Sequence, residues 1–247
     1  MKKMNYLAAA LLVLISVGNT ATGQTKNSVG KGLENTLTKQ EVKEGWKLLW
    51  DGKSTTGWRS YKTSAFPETG WEIKDGILTV NPSQDQAKPG GDIITIDTYK
   101  NFELTLDFLY TPGANGGIKY FIDGKSDVGC EYQILDDKLH PDAKKGINGN
   151  RTLAGLYDLI SPKSKIDNGP DKWNSAKIIV NGNHVEHWLN GQLTVSYVRG
   201  DADWKALVAT SKFKEKANFG EVAEGHILLQ DHGNKVSFKN IKIKEIK

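Results

Sequence analysis

The sequence predicts an all-β protein, an antiparallel sandwich or barrel in one large domain. Residues 102 to 109 (FELTLDFL) alternate apolar and polar side chains, which is the period of a strand with one buried face. Roughly ten segments share this character, with Gly- and Asn-rich turns and little helical periodicity between them. The 247 residues, 38% hydrophobic and 25% charged, have ordinary globular composition and suffice for one core.

The N-terminal residues have the pattern of a secretory signal peptide. Lys2 and Lys3 precede a short apolar run, and the small residues 21 to 23 then offer a cleavage site. The run is too short to be a convincing membrane span, and no other segment is apolar enough to be one. We therefore expect a signal peptide over residues 1–23, a polar linker over 24–37 and a single domain over 38–247.

The cysteine content and the charge indicate where the protein is located and which partners it can bind. Cys130 is the only cysteine, so we expect neither a lipid anchor after the signal nor an internal disulfide, as in an exported, periplasmic bacterial protein. Without Lys2 and Lys3 the chain has 31 basic and 29 acidic residues, and it contains no dense basic block. Nucleic acid is therefore excluded as a partner, while the oligomeric state is not indicated.

Local signals place the individual elements. Thr38 and Glu41 have capping-box spacing, which predicts a short helix ending near Gly45. Asn190-Gly191 predicts a type I′ hairpin, because both residues tolerate positive φ. Strands are predicted over residues 76–80, 92–96, 102–109, 116–122, 130–135, 175–180, 184–189, 192–198, 225–230 and 236–246.

In each of three predicted strands, side chains alternate between two faces, and one of these faces carries polar residues. Glu131 and Gln133 oppose Tyr132 and Ile134. In the same way, Lys119 and Phe121 oppose Ile118, Tyr120 and Ile122, and His226, Leu228, Gln230 and His232 oppose Ile227 and Leu229. If these faces line one concave sheet, five side chains converge on a cleft: Lys119, Glu131, Gln133, Gln230 and His232. The alternative is a sheet face that meets only water.

Other possible ligands and motifs give weaker signals. The acidic loop containing Asp136, Asp137 and Asp142 either binds a hard cation or is simply solvated. The chain has no HExxH motif, no cysteine cluster, no GxGxxG followed by a helix and no GxSxG elbow. No nucleotide cofactor is therefore expected.

An ordered set of segments carries a family resemblance. They are GWKLLWDGKSTTGW (45–58), WEIKDGIL (71–78), GGIKYFI (116–122), EYQILDD (131–137), LAGLYDL (153–159), WNSAKIIVNGNHVEHWLNGQ (173–192) and ILLQDHGNKVSFKNIKIKEI (227–246). Over residues 38–247 the chain resembles the 3-keto-disaccharide hydrolase domain family, DUF1080, of exported Bacteroidetes proteins. The resemblance implies a concanavalin-like jelly roll of two antiparallel sheets. It also implies hydrolysis or β-elimination of 3-keto-glycosides, with a divalent metal ion in some members.

That chemistry assigns roles to the candidate residues. A ketone at C3 acidifies the C2 proton, so one base, one stabiliser of the enolate oxygen and one proton donor suffice. We expect Glu131 or His232 to be the base, and the other to donate the proton or hold the metal. Gln133 and Gln230 would orient hydroxyls, and Tyr157 or Lys119 would bind the ketone. Trp188 would stack on the sugar or the aglycone.

Two other functions suit the same fold class. A lectin-like module would bind unoxidised sugars without cleaving them. A laminarinase-like glycosidase would need an ExDxxE-type array of acids on one strand. Gln133 and Leu135 follow Glu131 at the relevant positions, which argues against a retaining carboxylate pair there.

Overall fold

The computed structural model describes residues 34–81 and 90–247. In chain order the strands are β1 (Trp46–Leu48), β2 (Trp58–Ser60), β3 (Trp71–Lys74), β4 (Ile77–Val80), β5 (Ile93–Thr95), β6 (Phe102–Tyr110), β7 (Asn115–Ile122), β8 (Cys130–Leu135), β9 (Asn174–Asn181), β10 (His184–Leu189), β11 (Gln192–Val198), β12 (His226–Leu229) and β13 (Val236–Glu245). The helices are α1 (Lys39–Lys43), α2 (Ala202–Ala209) and a 3-10 turn at Pro141–Lys144. The predicted signal peptide and most of the predicted linker lie outside the described residues.

The strands form two antiparallel sheets, which confirms the predicted sandwich. The larger sheet has the order β11-β10-β9-β6-β13-β4-β3, with β1 also pairing with β13. The smaller sheet has the order β2-β5-β12-β7-β8. Along β6, buried residues alternate with half-buried ones over the whole strand, as the sequence predicted. None of the helices in the described residues is both long enough and apolar enough to span a bilayer.

Two local predictions are confirmed by the backbone. The Thr38 hydroxyl accepts from the Glu41 amide at 3.1 Å, and the Glu41 carboxylate accepts from the Thr38 amide at 2.7 Å, so the capping box begins α1. At the hairpin between β10 and β11, Asn190 has φ of 49° and Gly191 has φ of 80°. Asn35 lies within the predicted linker. Its backbone N–H donates to Asn240 Oδ1 at 2.7 Å, so this residue contacts β13.

The structure differs from the predicted elements in two places. Helix α2 was not predicted, because it is short and buries only Trp204, so it leaves no apolar period in the sequence. In β7 the strand parity breaks at Phe121, whose φ is 58°. Phe121 packs in the main core, whereas Ile122 joins Ile94 in a small cluster apart from that core. Lys119 precedes this break and keeps its predicted face.

Candidate active site

A polar cavity of about 340 Å³ lies against the outer face of the smaller sheet. Strands β7 and β8, the residues after β12 and three irregular segments form its wall: Asn115, Lys119, Asp127, Val128, Gly129, Glu131, Gln133, Tyr157, Lys212, Phe213, Lys216, Gln230 and His232. The strand residues reach this face because their alternate neighbours Tyr132 and Ile134 fill the core between the sheets. Neighbouring polar positions in three strands therefore meet in one hollow.

Six of the seven site residues predicted from the sequence are brought together here: Lys119, Glu131, Gln133, Tyr157, Gln230 and His232. Trp188 is not among them. It lies in β10 of the larger sheet, where its indole N–H donates to Glu186 at 2.8 Å and the Lys177 ammonium lies 4.5 Å from its ring. Because its neighbour His187 faces the core, strand alternation turns Trp188 to the outer surface.

Glu131 is the buried carboxylic acid of the cavity wall. Its exposed fraction is 7%, and within the described part of the chain no donor is hydrogen-bonded to its carboxylate. Burial raises the pKa of Glu131 to about 7, although the charges of Lys119 and Lys212 act to lower it. A carboxyl group with such a pKa exchanges a proton readily near neutral pH, as an acid–base catalyst must.

Gly117 makes room for this carboxylate. A Cβ atom built on Gly117 would lie 2.5 Å from Glu131 Oε1 and 3.0 Å from its Cδ, so any side chain there displaces the acid. The Gly117→Ala variant is therefore expected to fold while losing about 10-fold or more in kcat, since small misplacements of reacting groups are costly. Steady-state kinetics with a melting curve would check this, and unchanged kcat would contradict it. Gly116→Ala, at the preceding glycine of β7, whose Cβ would meet the Val236 side chain rather than Glu131, controls for general backbone effects.

The raised pKa of Glu131 also links stability to pH. The native state holds the proton up to a pH of about 7, whereas the unfolded chain releases it near 4.5, the ordinary value for a glutamate. Protonation therefore favours the fold, and the free energy of unfolding falls by about 3 kcal/mol as pH rises across this interval. Glu131→Gln should lack this contribution. Urea unfolding of both proteins below pH 4.5 and above 7 would show it, and parallel pH profiles would contradict it.

Lys119 and Asp92 form a buried ion pair beside Glu131. Lys119 Nζ lies 3.7 Å from Asp92 Oδ2 and donates to the Asp127 carbonyl at 3.2 Å. Asp92 also accepts from the backbone N–H of Asp231 at 2.8 Å. Burial raises the pKa of Asp92, even though the Lys119 charge opposes the rise. The pair thus connects the lysine of the cavity to the segment that carries His232.

A chain of amides connects Gln133 to His232 at the other end of the cavity. Gln133 donates to Asn115 Oδ1 at 3.1 Å, and Asn115 Nδ2 donates to His232 Nε2 at 3.3 Å. His232 lies at the exposed rim. The Oε1 atoms of Gln133 and Gln230 are buried and have no hydrogen-bond donor among the described residues. Buried acceptors of this kind are suited to hydroxyl groups of a ligand.

Tyr157 and Lys212 form the part of the cavity wall that faces the smaller sheet. The Tyr157 hydroxyl donates to Asp142 at 2.8 Å, and Arg151 donates to the same carboxylate at 3.2 Å. Burial, with Asp142 adding to the effect, raises the pKa of Tyr157, so the phenol stays protonated. Lys212 places its ammonium 4.1 Å from the centre of the Tyr157 ring.

Sequence reasoning missed several wall residues, chiefly Asn115, Asp127, Lys212, Phe213 and Lys216. Most of them lie outside regular strands, so strand parity could not assign them a direction. A weak signal was present in SKFKEK (211–216), where lysines alternate with other residues just before the last strands. That pattern is equally typical of a solvated loop, and only the fold shows that this segment covers the polar face.

The sequence suggests two places for a metal ion, the acidic loop and the cavity wall. The acids of the predicted cation loop are occupied: Asp136 accepts from Gly113, Asp137 from Leu153 and Asp142 from Tyr157. Across residues 34–81 and 90–247, no three His, Cys, Asp or Glu side chains are grouped to hold a metal ion. The prediction that Glu131 and His232 bind a divalent metal stays a prediction.

The fold and the cavity define a class: a jelly-roll sandwich protein whose smaller sheet carries a polar ligand cavity with a buried acid–base group. Residues 45–244 match the family described as the 3-keto-alpha-glucoside-1,2-lyase-like domain. The chain belongs to this family.

Individual relatives agree in sequence and in fold. The chain is 34% identical over 288 residues to a 3-keto-disaccharide hydrolase of Bacteroides thetaiotaomicron, with 99% of each protein covered. It is 32% identical to a candidate glycosyl hydrolase of Parabacteroides distasonis ATCC 8503, with a TM-score of 0.77 over 87% of this chain and 100% of that structure. A second such structure from the same organism, 25% identical, has a TM-score of 0.59 over 76% of this chain and 99% of that one. These likenesses support a carbohydrate-active enzyme role.

Proposed function

We propose that this protein cleaves 3-keto-glycosides by eliminating the C1 substituent through an enolate. The observation that carries the proposal is Glu131, a buried carboxyl group with a pKa of about 7 in the wall of a polar cavity. Such a group can remove a proton from carbon only if that proton is acidified, as it is beside a C3 ketone. The 3-keto-disaccharide hydrolase named above supports this choice of substrate class.

In the proposed mechanism, ionised Glu131 takes the C2 proton, and the electron pair of that bond forms the enolate between C2 and C3. Lys119 and Lys212, whose charges act on Glu131, stabilise the developing negative charge. The enolate then re-forms the ketone, a C1–C2 double bond forms, and the C1–O bond breaks. Protonated Glu131 returns its proton to the departing oxygen. Water adding to the resulting enone yields net hydrolysis.

The other end of the cavity would hold the keto sugar. Gln133 and Gln230 offer buried carbonyl oxygens to its hydroxyls, and His232 lies beside Asn115 at the rim. We assign His232 to hydrogen bonding with the sugar, because its ring lies at the exposed rim beside Asn115. The metal proposed for some members would add Lewis-acid stabilisation of the ketone, but no step above depends on it.

An ordinary retaining glycosidase is a poorer match to this cavity. That mechanism needs two carboxyl groups about 5 Å apart across the glycosidic bond. The next position on the same face after Glu131 is an amide, Gln133, which is buried to 1% exposure. Asp127, the other acid in the wall, lies in the irregular segment before β8 and not on the strand that carries Glu131.

The proposal is tested by giving the purified protein a 3-keto-glucoside and its parent glucoside in D₂O, with and without EDTA, and following products by NMR. Cleavage of the keto sugar alone, with deuterium entering C2 of recovered substrate or product, is expected. Cleavage of the parent without exchange at C2 would indicate an ordinary glycosidase. Binding of either sugar without cleavage would indicate the lectin-like module. Loss of cleavage in EDTA that added divalent metal restores would support the metal prediction.

For the cellular location, we propose export to the periplasm with removal of residues 1–23. The two lysines, the apolar run and the small residues before Gln24 support it. Mass spectrometry of the protein from a periplasmic fraction is expected to find Gln24 at the N-terminus. An intact N-terminus in the cytosolic fraction would contradict the proposal.

A further inference from the structure

A second cavity lies at the other end of strand β5 from the polar cavity. Its volume is about 280 Å³, and its wall comes from β1, the loop between β1 and β2, β13 and the residues after β5. Asp92, which pairs with Lys119 of the polar cavity, precedes β5, whereas Asp97 of the second cavity follows it. No residue of the described chain belongs to both walls. The second hollow, here called the edge cavity, is therefore separate from the site at Glu131.

Tyr99 is the buried polar residue of the edge cavity. It is only 8% exposed, yet among the described residues nothing is hydrogen-bonded to its hydroxyl, which is not sealed off from solvent. Burial raises the pKa of this phenol to about 12, so it keeps its proton. The Tyr99 amide N–H donates to the Gly225 carbonyl at 2.8 Å, and the Tyr99 carbonyl accepts from the Gly225 N–H at 3.1 Å. The hydroxyl is thus held in place without a protein partner, which suits it to a polar ligand.

Asp97 gives the edge cavity a free carboxylate at its exposed side. In the part of the chain that the structure describes, this carboxylate has neither a hydrogen-bond donor nor an ion-pair partner. The charge of Asp97 acts on the Tyr99 phenol, so the two groups lie near each other. The lysine of this wall, Lys47, is bonded to Glu245 at 2.7 Å. The cavity therefore offers one O–H donor and one unpaired negative charge close together.

The inner part of the wall is apolar and rigid. Trp50 and Ile243 are 2% and 1% exposed, so their side chains close the cavity on the side of the core. The Trp50 indole N–H donates to the Ser54 carbonyl at 2.8 Å, and the Leu49 amide N–H donates to the Ile241 carbonyl at 2.9 Å. These bonds hold the loop between β1 and β2 in place. The edge cavity is therefore preformed, as binding sites for small ligands usually are.

We propose that the edge cavity is a second binding site, for a neutral sugar ring that takes no part in the chemistry at Glu131. A pyranose ring has C–H groups to meet the apolar inner wall, and its hydroxyls can accept from Tyr99 and donate to Asp97. The unpaired charge of Asp97 disfavours acidic sugars and phosphate esters, because like charges repel. This inference does not depend on the proposed function. Since the walls are separate, both cavities can be occupied at once.

A titration of the ¹⁵N-labelled protein with methyl glucoside, followed by amide NMR, tests the inference. The amide signals of residues 48–57 and 96–99 are expected to shift in a saturable way, and glucuronate should bind there more weakly. Tyr99→Phe should weaken the binding of methyl glucoside by about 5-fold, the effect of one lost hydrogen bond. It should keep the wild-type melting temperature, because the hydroxyl has no partner in the described protein.

Tyr61→Phe is the matched control. Tyr61 is a half-buried tyrosine outside both cavity walls, and its hydroxyl likewise has no hydrogen bond to any described residue. This variant should bind methyl glucoside as wild type does. Asp97→Asn gives a second check, because it removes the charge and keeps the shape of an exposed side chain. It should reduce the preference for methyl glucoside over glucuronate.

Three results would overturn the inference. They are shifts confined to the polar cavity or absent up to the solubility limit of the sugar, equal affinity of wild type and Tyr99→Phe, and equal binding of glucuronate and methyl glucoside. Cleavage of a 3-keto-glucoside by the wild-type protein is scored separately. Sugar binding at the edge cavity without such cleavage would support this inference while the proposed function fails, and cleavage without binding there would do the reverse.

Discussion

Replacing Glu131 by glutamine is expected to lower kcat on a 3-keto-glycoside by at least about 10²-fold. Glutamine keeps the size and shape of the side chain but cannot accept the C2 proton. Because the buried carboxyl group has a pKa of about 7, wild-type kcat/KM should rise with pH up to about 7 and then level off. The residual activity of the variant should lack this rise. Initial rates across the pH range measure both effects.

A matched variant separates this effect from a general loss of a carboxylate. Glu186→Gln removes a half-buried acid of β10, which bonds to Trp188 on the other sheet. Its kcat should stay within about 2-fold of wild type, as for surface changes outside the site. Retention of near-wild-type turnover by Glu131→Gln would remove that residue from the mechanism. A loss in Glu131→Gln that deuterium exchange at C2 does not share would place its role after proton abstraction.

The parts of the site that could be predicted are those set by local periodicity. Glu131 and Gln133 point away from the core because Tyr132 and Ile134 point into it, and this parity is visible in six consecutive letters of sequence. The capping box at Thr38 is equally local. Even so, parity shows only that a polar face exists. That the faces of three strands adjoin follows from the order β12-β7-β8, which no single strand contains.

The parts that could not be predicted depend on contacts between distant residues. Lys212 comes to the cavity through an irregular segment, held by its backbone N–H donating to Asp158 at 2.7 Å. Asp92 pairs with Lys119 across the sheet, although neither residue has a sequence pattern that indicates the other. Trp188 seemed suited to stacking on a sugar by residue type alone, and its strand belongs to the opposite sheet. The type of a residue does not show which sheet its strand joins, so it could not place Trp188 correctly.

The Asp92→Ala variant is expected to lose about 3–5 kcal/mol of unfolding free energy, the usual cost of leaving one charge of a buried pair without its partner. The side chains of Lys119 and Asp92 are 9% and 8% exposed, so water cannot replace the missing carboxylate. The variant also loses the acceptor for the Asp231 amide, which fixes the chain just before His232. Urea unfolding measures the loss. Asp97→Ala, at an exposed aspartate, should cost less than about 0.5 kcal/mol.

A double variant shows whether the unpaired charge is the cause. Lys119→Met combined with Asp92→Ala removes both charges and keeps an apolar chain of similar length, so it should recover part of the stability lost in Asp92→Ala alone. If the double variant is no more stable than Asp92→Ala, the unpaired charge is not the cause, and the lost contact with the Asp231 amide is left to explain the effect. Catalysis should not recover in either case, because Lys119 would stabilise the enolate. Stability restored without activity, in a protein whose Asp92→Ala parent is still active, would identify Lys119 as a cation that the reaction needs and the fold does not.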